Sequence, residues 1–243
     1  MTVSPKAKAE IPIVLTATVI PNGVAAAGDP QFRLAEYVRT LKFYRQFAPV
    51  IFLENSNYPL EQHPEFRESP GLQVKRFPPS TNPGRGKGYQ EFEMLDAWLD
   101  AEPQPPKRWL KISGRYQICN IDRILTECQA DRRHSLIIDQ LKHVMFARTY
   151  LFCVDTDFYR QRLRGIYLRC DDKTGNWIEH VVFREMENVP ASVVRLLKTQ
   201  PDLTATDGSS GKAFPSGRGQ LLGKQILRSV NRLFDRKHLR YQR

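Results

Sequence analysis

Nowhere in the 243 residues do about 18 apolar positions follow one another, so no segment has the length of a membrane-spanning helix. The opening stretch, MTVSPKAKAE, has two lysines but no apolar run before Ile11. That excludes a standard secretory signal and makes a cytoplasmic location the expectation. Cysteine is scarce. Cys119, Cys128, Cys153 and Cys170 are scattered with no CxxC pair, so zinc-type spacing is missing and they read as buried thiols. His63, His134, His143 and His238 keep no spacing to one another and read as structural. No internal repeat is present.

Acidic residues are also in deficit. Lys and Arg number 37 against 26 Asp and Glu, a formal charge of +11, which calls for an anionic partner or surface. Much of the excess sits in residues 218–243, where Arg218, Lys224, Arg228, Arg232, Arg236, Lys237, Arg240 and Arg243 face the single acid Asp235. With 41% hydrophobic and 26% charged residues, the remainder is ordinary globular material of one-domain size.

The apolar pattern alternates between two periods. IPIVLTATVIP (11–21) has the Val/Ile/Thr-rich continuity of a strand buried on both faces. FRLAEYVRTLKFYRQF (32–47) puts Leu34, Tyr37, Val38, Leu41 and Tyr44 at helical spacing. VIFLEN (50–55) follows as a strand, so the first third predicts a right-handed βαβ unit. Beyond it, strands are expected at 72–77, 108–118, 134–140 and 144–154, and helices at 89–101, 121–130 and near 158–168. WIEHVVFREM (177–186) reads as a late strand and SVVRLLKTQ (192–200) as a helix. The chain thus divides into a polar leader (1–10), an α/β domain (11–200), a Gly/Ser-rich loop (201–219) and a basic amphipathic helix (220–243). That helix would carry an apolar stripe of Leu222, Ile226, Val230, Leu233 and Phe234.

Open parallel sheets bind ligands at the carboxyl ends of their strands. Four polar groups fall there: Thr16 and Thr18; Glu54, Asn55 and Ser56; Lys111 with Ser113, Gly114, Arg115 and Tyr116; Glu179 with His180. Gly84-Arg85-Gly86-Lys87-Gly88 opens a helix, so its backbone N–H groups, the Lys87 charge and the helix dipole fit a phosphate. It is not a Walker loop, since no Ser or Thr follows the lysine. Glu91 lies one turn further on the same face. Lys111 and Arg115 are positioned to converge on a diphosphate. Asp155-Thr156-Asp157 has the form of a DxD motif holding a magnesium or manganese ion, or else one aspartate caps the next helix. Glu179 beside His180 suits general-base work on a hydroxyl.

Taken together, LTATVIP, FLENS, GKGYQEFEML, LKISGRYQI and WIEHVVF resemble a group of bacterial glycosyltransferase-like proteins from capsule and lipopolysaccharide clusters. The likeness spans about residues 11–185. It implies a single GT-A-like, Rossmann-like α/β domain with a mostly parallel sheet, a nucleotide-sugar donor and a glycan or lipid-linked glycan acceptor. It implies that Glu54, Asn55, Lys87, Gly88, Glu91, Lys111, Gly114, Arg115 and Tyr116 bind the donor, and implicates Glu179 and His180. Gly208-Ser209-Ser210-Gly211 also echoes the group. One departure matters: where metal-dependent members carry a DxD after a mid-chain strand, this chain has Ser113-Gly114-Arg115-Tyr116. Either Lys111 and Arg115 replace the metal or Asp155 and Asp157 supply it. The rivals are a sugar nucleotidyltransferase, disfavoured because residues 16–30 contain no Arg or Lys, and a nucleic-acid-binding module, disfavoured because the charge gathers in the tail. A basic helix at 220–243 would also suit an anionic membrane surface on the inner face of the cytoplasmic membrane.

Overall fold

The computed structural model describes residues 10–23 and 29–204. Nearly all of the leader, most of the Gly/Ser-rich loop with Gly208-Ser209-Ser210-Gly211, and the basic 220–243 segment lie outside the described residues. The first half contains β1 (Ile13–Ala17), α1 (Pro30–Tyr44), β2 (Val50–Glu54), β3 (Leu72–Arg76), α2 (Lys87–Ala101) and β4 (Arg108–Ser113). It continues through β5 (Gln117–Ile118), α3 (Ile121–Ala130), β6 (Leu136–Leu141), β7 (Phe146–Asp155), α4 (Thr156–Phe158), α5 (Ile178–Glu187), β8 (Val194–Arg195) and β9 (Leu203–Thr204).

Seven strands form one sheet in the order β3-β2-β1-β4-β7-β6-β8. Pairings from β3 through β4 are parallel, as is β6 with β8, whereas β7 runs antiparallel to both β4 and β6. The expected mostly parallel α/β sheet is present, made mixed by β7. The reversal at β7 has a local cause: only 142–145 separate β6 from β7, too few residues for a crossover helix.

Alternation along β1 splits the core. Ile13, Leu15 and Ala17 pack with α1 and α3, while Val14 faces α2 and α5. A nested aromatic group, Trp98, Trp109, Phe92, Phe152 and Tyr159, fills the second side. α1 begins as its sequence dictates, with Asp29 accepting from the Gln31 N–H (2.9 Å) and Pro30 in the first turn.

Two expected elements differ. Residues 177–186 form most of helix α5 instead of a strand, because Ile178, Val181, Val182 and Met186 are buried together at helical spacing. A short apolar run does not by itself distinguish the two. Residues 192–200 are not helical beyond the two-residue strand β8. Glu127 of α3 takes the Lys198 and Thr199 N–H groups (2.6 and 2.8 Å) and pairs with Arg195 (2.7 Å), so a side chain satisfies the backbone a helix would have used. Among the described residues no helix is long and apolar enough to cross a membrane.

Candidate functional site

β1 has β2 on one side and β4 on the other, and the chain crosses from β3 to β4 through α2. A crevice therefore opens between the C-terminal ends of β1 and β4, the place where open α/β sheets bind ligands. A cavity of about 230 Å³ occupies it. Its β1–α1 wall is Thr16, Ala17, Thr18, Arg33 and Tyr37; its β4 wall is Ser113, Gly114, Arg115 and Tyr116. Lys87, Gly88, Gln90, Glu91 and Met94 of α2, Thr149 and Tyr150 of β7, and Ile178 and Glu179 of α5 close the third side.

Three cations line this cleft: Arg33, Lys87 and Arg115. Arg33 donates to the Thr18 carbonyl (3.1 Å), and burial is the largest influence lowering its pKa, with Arg115 adding to it. Arg115 forms an ion pair with Glu36 (2.7 Å), a carboxylate of α1 only 3% exposed. Arg33 from the β1–α1 wall and Arg115 from the β4 wall thus both lie near the buried Glu36 carboxylate, and their guanidinium groups suit an added anion.

Glu91 organises the floor. Its Oε1 accepts from the hydroxyls of Thr16 and Ser113 (the latter at 2.9 Å) and meets Lys111 Nζ at 2.7 Å. Lys111 is fully buried and also donates to Ser113 and to the Thr149 carbonyl (2.9 and 2.8 Å). Desolvation lowers its pKa, and Glu91 opposes that shift. The expected diphosphate contact from Lys111 is not what the structure provides. Its ammonium is spent inside the protein, where it fixes Glu91.

On the same side as Glu91, Glu179 accepts from Thr149 Oγ1 (3.1 Å), and burial raises its pKa above the ordinary 4.5. His180 does not join it. One residue further along α5 it points elsewhere, donating from Nδ1 to the Met145 carbonyl (2.9 Å) and stacking on Trp177.

The glycine-rich turn also has a different occupant. Gly86 has φ +118°, and a Cβ there would lie 2.0 Å from the Asp172 carboxyl carbon. The Asp172 carboxylate accepts from the Lys87 N–H (3.2 Å), so the anion at the start of α2 belongs to the protein. At Gly88 a Cβ would meet Ile178 at 2.2 Å; this glycine lets α2 and α5 touch. Lys87 and Gly88 nevertheless line the cleft.

Glu54 and Asn55 brace the loop after β1 instead of facing the cleft. Glu54 takes the N–H groups of Val19 and Ser56 (3.3 and 2.9 Å) and the Ser56 hydroxyl, and burial raises its pKa. Asn55 accepts from Thr18 Oγ1 (2.6 Å) and donates to the Gln90 carbonyl (3.4 Å), tying that loop to α2. Asp155 pairs with Arg108 (2.9 Å), and the register opposes the two at the start of β4. Ser113 is five steps along the strand from Arg108, about 17 Å at roughly 3.3 Å per residue, so Asp155 and Asp157 sit at the opposite end of the strands from the cleft. Reversal of β7 causes this. Among the described residues no three His, Cys, Asp or Glu side chains gather as a metal site.

Arg33, Tyr37, Gln90, Met94, Thr149 and Tyr150 line the cleft without having been singled out as ligands. Arg33 carried a signal: it shares the i, i+4, i+8 row with Tyr37 and Leu41, so its guanidinium is drawn onto the buried face of α1.

No family model matches the sequence, and no curated protein matches it. In arrangement the chain is similar to a putative glucose-1-phosphate thymidylyltransferase from Bacillus anthracis (10% identity, TM-score 0.49, 82% of this chain and 90% of that one). It is also similar to mouse xyloside xylosyltransferase 1 (10%, TM-score 0.47, 77% and 84%). A third is the glycosyltransferase GlyE of Streptococcus pneumoniae (9%, TM-score 0.47, 78% and 45%). At such identities, and with TM-scores under 0.5, these likenesses assign no chemistry; that must come from the cleft.

Proposed function

We propose that the protein is a glycosyltransferase that moves a sugar from a nucleotide-sugar donor to an acceptor hydroxyl, in the assembly of a cell-envelope glycan such as lipopolysaccharide or capsule. The observation that carries this reading is the division of charge inside one cleft. Arg33, Lys87 and Arg115 bring cations to the cleft from three elements, and a buried carboxylate of raised pKa, Glu179, lines it with them. The cations hold the donor's diphosphate and stabilise the charge it gains on leaving. Glu179 takes the proton from the acceptor hydroxyl as that oxygen bonds to the anomeric carbon, while the bond from that carbon to the phosphate oxygen breaks. Thr149 orients Glu179; Thr16, Ser113 and Lys111 orient Glu91 beside it. Asp155 and Asp157, at the opposite end of the strands from the cleft, do not suit a metal on this donor. The five motifs of the envelope-glycan group and the basic 218–243 segment support the choice of acceptor and a peripheral site on an anionic membrane.

The sugar nucleotidyltransferase reading has one observation in its favour. Arg33 supplies from α1 the cation that residues 16–30 lack. A thermal-shift panel separates the two. Stabilisation by a single nucleoside diphosphate, and not by nucleoside triphosphates with sugar 1-phosphates, is the expected result. The reverse pattern would establish the rival, and stabilisation by short DNA alone would overturn both.

A further inference from the structure

Trp177 is the anomaly among the tryptophans. Trp98 and Trp109 are fully buried, whereas Trp177 is 46% exposed. It is nonetheless held firmly. Its ring stacks on His180 (centroids 5.4 Å apart, planes 20°), and His180 meets Phe146 edge-on at 5.6 Å. His180 is anchored through Nδ1 to the Met145 carbonyl (2.9 Å), and Trp177 is tied by its own carbonyl to the His180 and Val181 N–H groups (3.0 and 3.1 Å) at the start of α5. Beside it, Val144 and Met145 at the β6–β7 turn are 45% and 56% exposed. The turn lies at the same end of the sheet as the cleft, because β6 runs parallel to β4, and α5 begins beside it, with His180 bonded to Met145. Ile178 and Glu179, the next two residues after Trp177, line the cavity.

We propose that Trp177, backed by His180, is a stacking platform for a pyranose ring of the acceptor saccharide. Resting on the transferase reading above, this identifies the acceptor's binding surface by its chemistry. A pyranose has a C–H face that packs on an indole ring and hydroxyls at its rim for polar groups. A rigid, pre-positioned ring costs little ordering on binding. Trp177 shares its side of α5 with His180, which turns away from Glu179, so a ring laid on it would be a sugar unit beyond the one that reacts. His180 acts here as a positioning residue through Trp177, which accounts for its turning away from Glu179.

The test is a glycan array probed with the full-length parent, Trp177→Ala and Trp177→Phe, each checked by thermal melting. Each is also titrated with the nucleoside diphosphate found in the panel. The expected result is a set of glycans bound by the parent, weakened by about tenfold or more in Trp177→Ala and largely kept in Trp177→Phe, with nucleotide affinity equal in all three. Equal glycan binding by parent and Trp177→Ala overturns the platform, as does an array to which the parent does not bind. A blue shift of Trp177 emission on phosphatidylglycerol vesicles, read as parent minus Trp177→Phe, combined with a blank array would reassign the rim to lipid. Failure of the parent to bind any nucleoside diphosphate counts against the transferase reading alone, since the array reads the platform independently.

Discussion

Glu179 reaches the cleft from the first turn of α5, and burial lifts its pKa above the ordinary 4.5. A base must be deprotonated to work, so the acid limb of the pH–rate profile should lie above that value, with activity rising as pH climbs through the raised pKa. Glu179→Gln should lower turnover by about 100-fold or more and leave donor affinity unchanged, measured by steady-state kinetics and nucleotide titration. The guanidinium pair makes a separate prediction. Arg33→Ala and Arg115→Ala should each weaken nucleoside diphosphate binding by about 1.5–3 kcal/mol, or about 10- to 150-fold, by calorimetric titration. Lys111 belongs to a different class. Its ammonium is fully buried against Glu91, and removing Glu91 leaves an uncompensated charge there. Glu91→Ala should therefore destabilise the fold by about 3–5 kcal/mol in urea unfolding, well beyond what a ligand contact would cost.

The start of α2 shows how one helix end depends on a distant loop. Gly86 offers no side chain for capping, and the Asp172 carboxylate supplies the missing acceptor from 85 residues away. Asp172→Ala should cost about 0.5–2 kcal/mol, the range for losing a helix cap. Gly86→Ala should cost more in the parent, through both the positive φ and the collision with Asp172. In the Asp172→Ala background its cost should shrink to the backbone strain alone. A double-mutant cycle in urea reads that coupling, and additive effects would mean that Asp172 does not occupy the helix start.

At the scale of the whole molecule, the cleft sits at the C-terminal ends of the central strands β1 and β4, and the excess charge of +11 sits largely in the final 26 residues. Full-length protein should sediment with anionic vesicles at low salt and release as ionic strength rises, because exposed charges are screened over about 10 Å at 0.1 M. Binding that ignores salt would point to apolar insertion instead.

Local pattern alone determined a good deal of this protein. The continuous Ile/Val/Leu of β1 required burial on both faces, the stripe of α1 required a helix, and α3 occupies 121–130 as its spacing predicts. Lys87, Glu91, Gly114, Arg115, Tyr116, Thr16 and Glu179 were legible as cleft residues because polar groups at strand ends and helix starts converge in any such sheet. What sequence could not decide was which end of the sheet a strand finishes on and which partner a charge finds. The reversal of β7 carried Asp155 and Asp157 to the opposite end of the strands, although their spacing matched a metal motif. Glu54, Asn55 and Lys111 sit where ligand contacts were expected, yet internal donors and acceptors claim them first. Arg33 went unnoticed because helical period reports a face, not what that face meets. Desolvation and pairing depend on the atoms that surround a group, and those are assembled only when elements distant in sequence pack together.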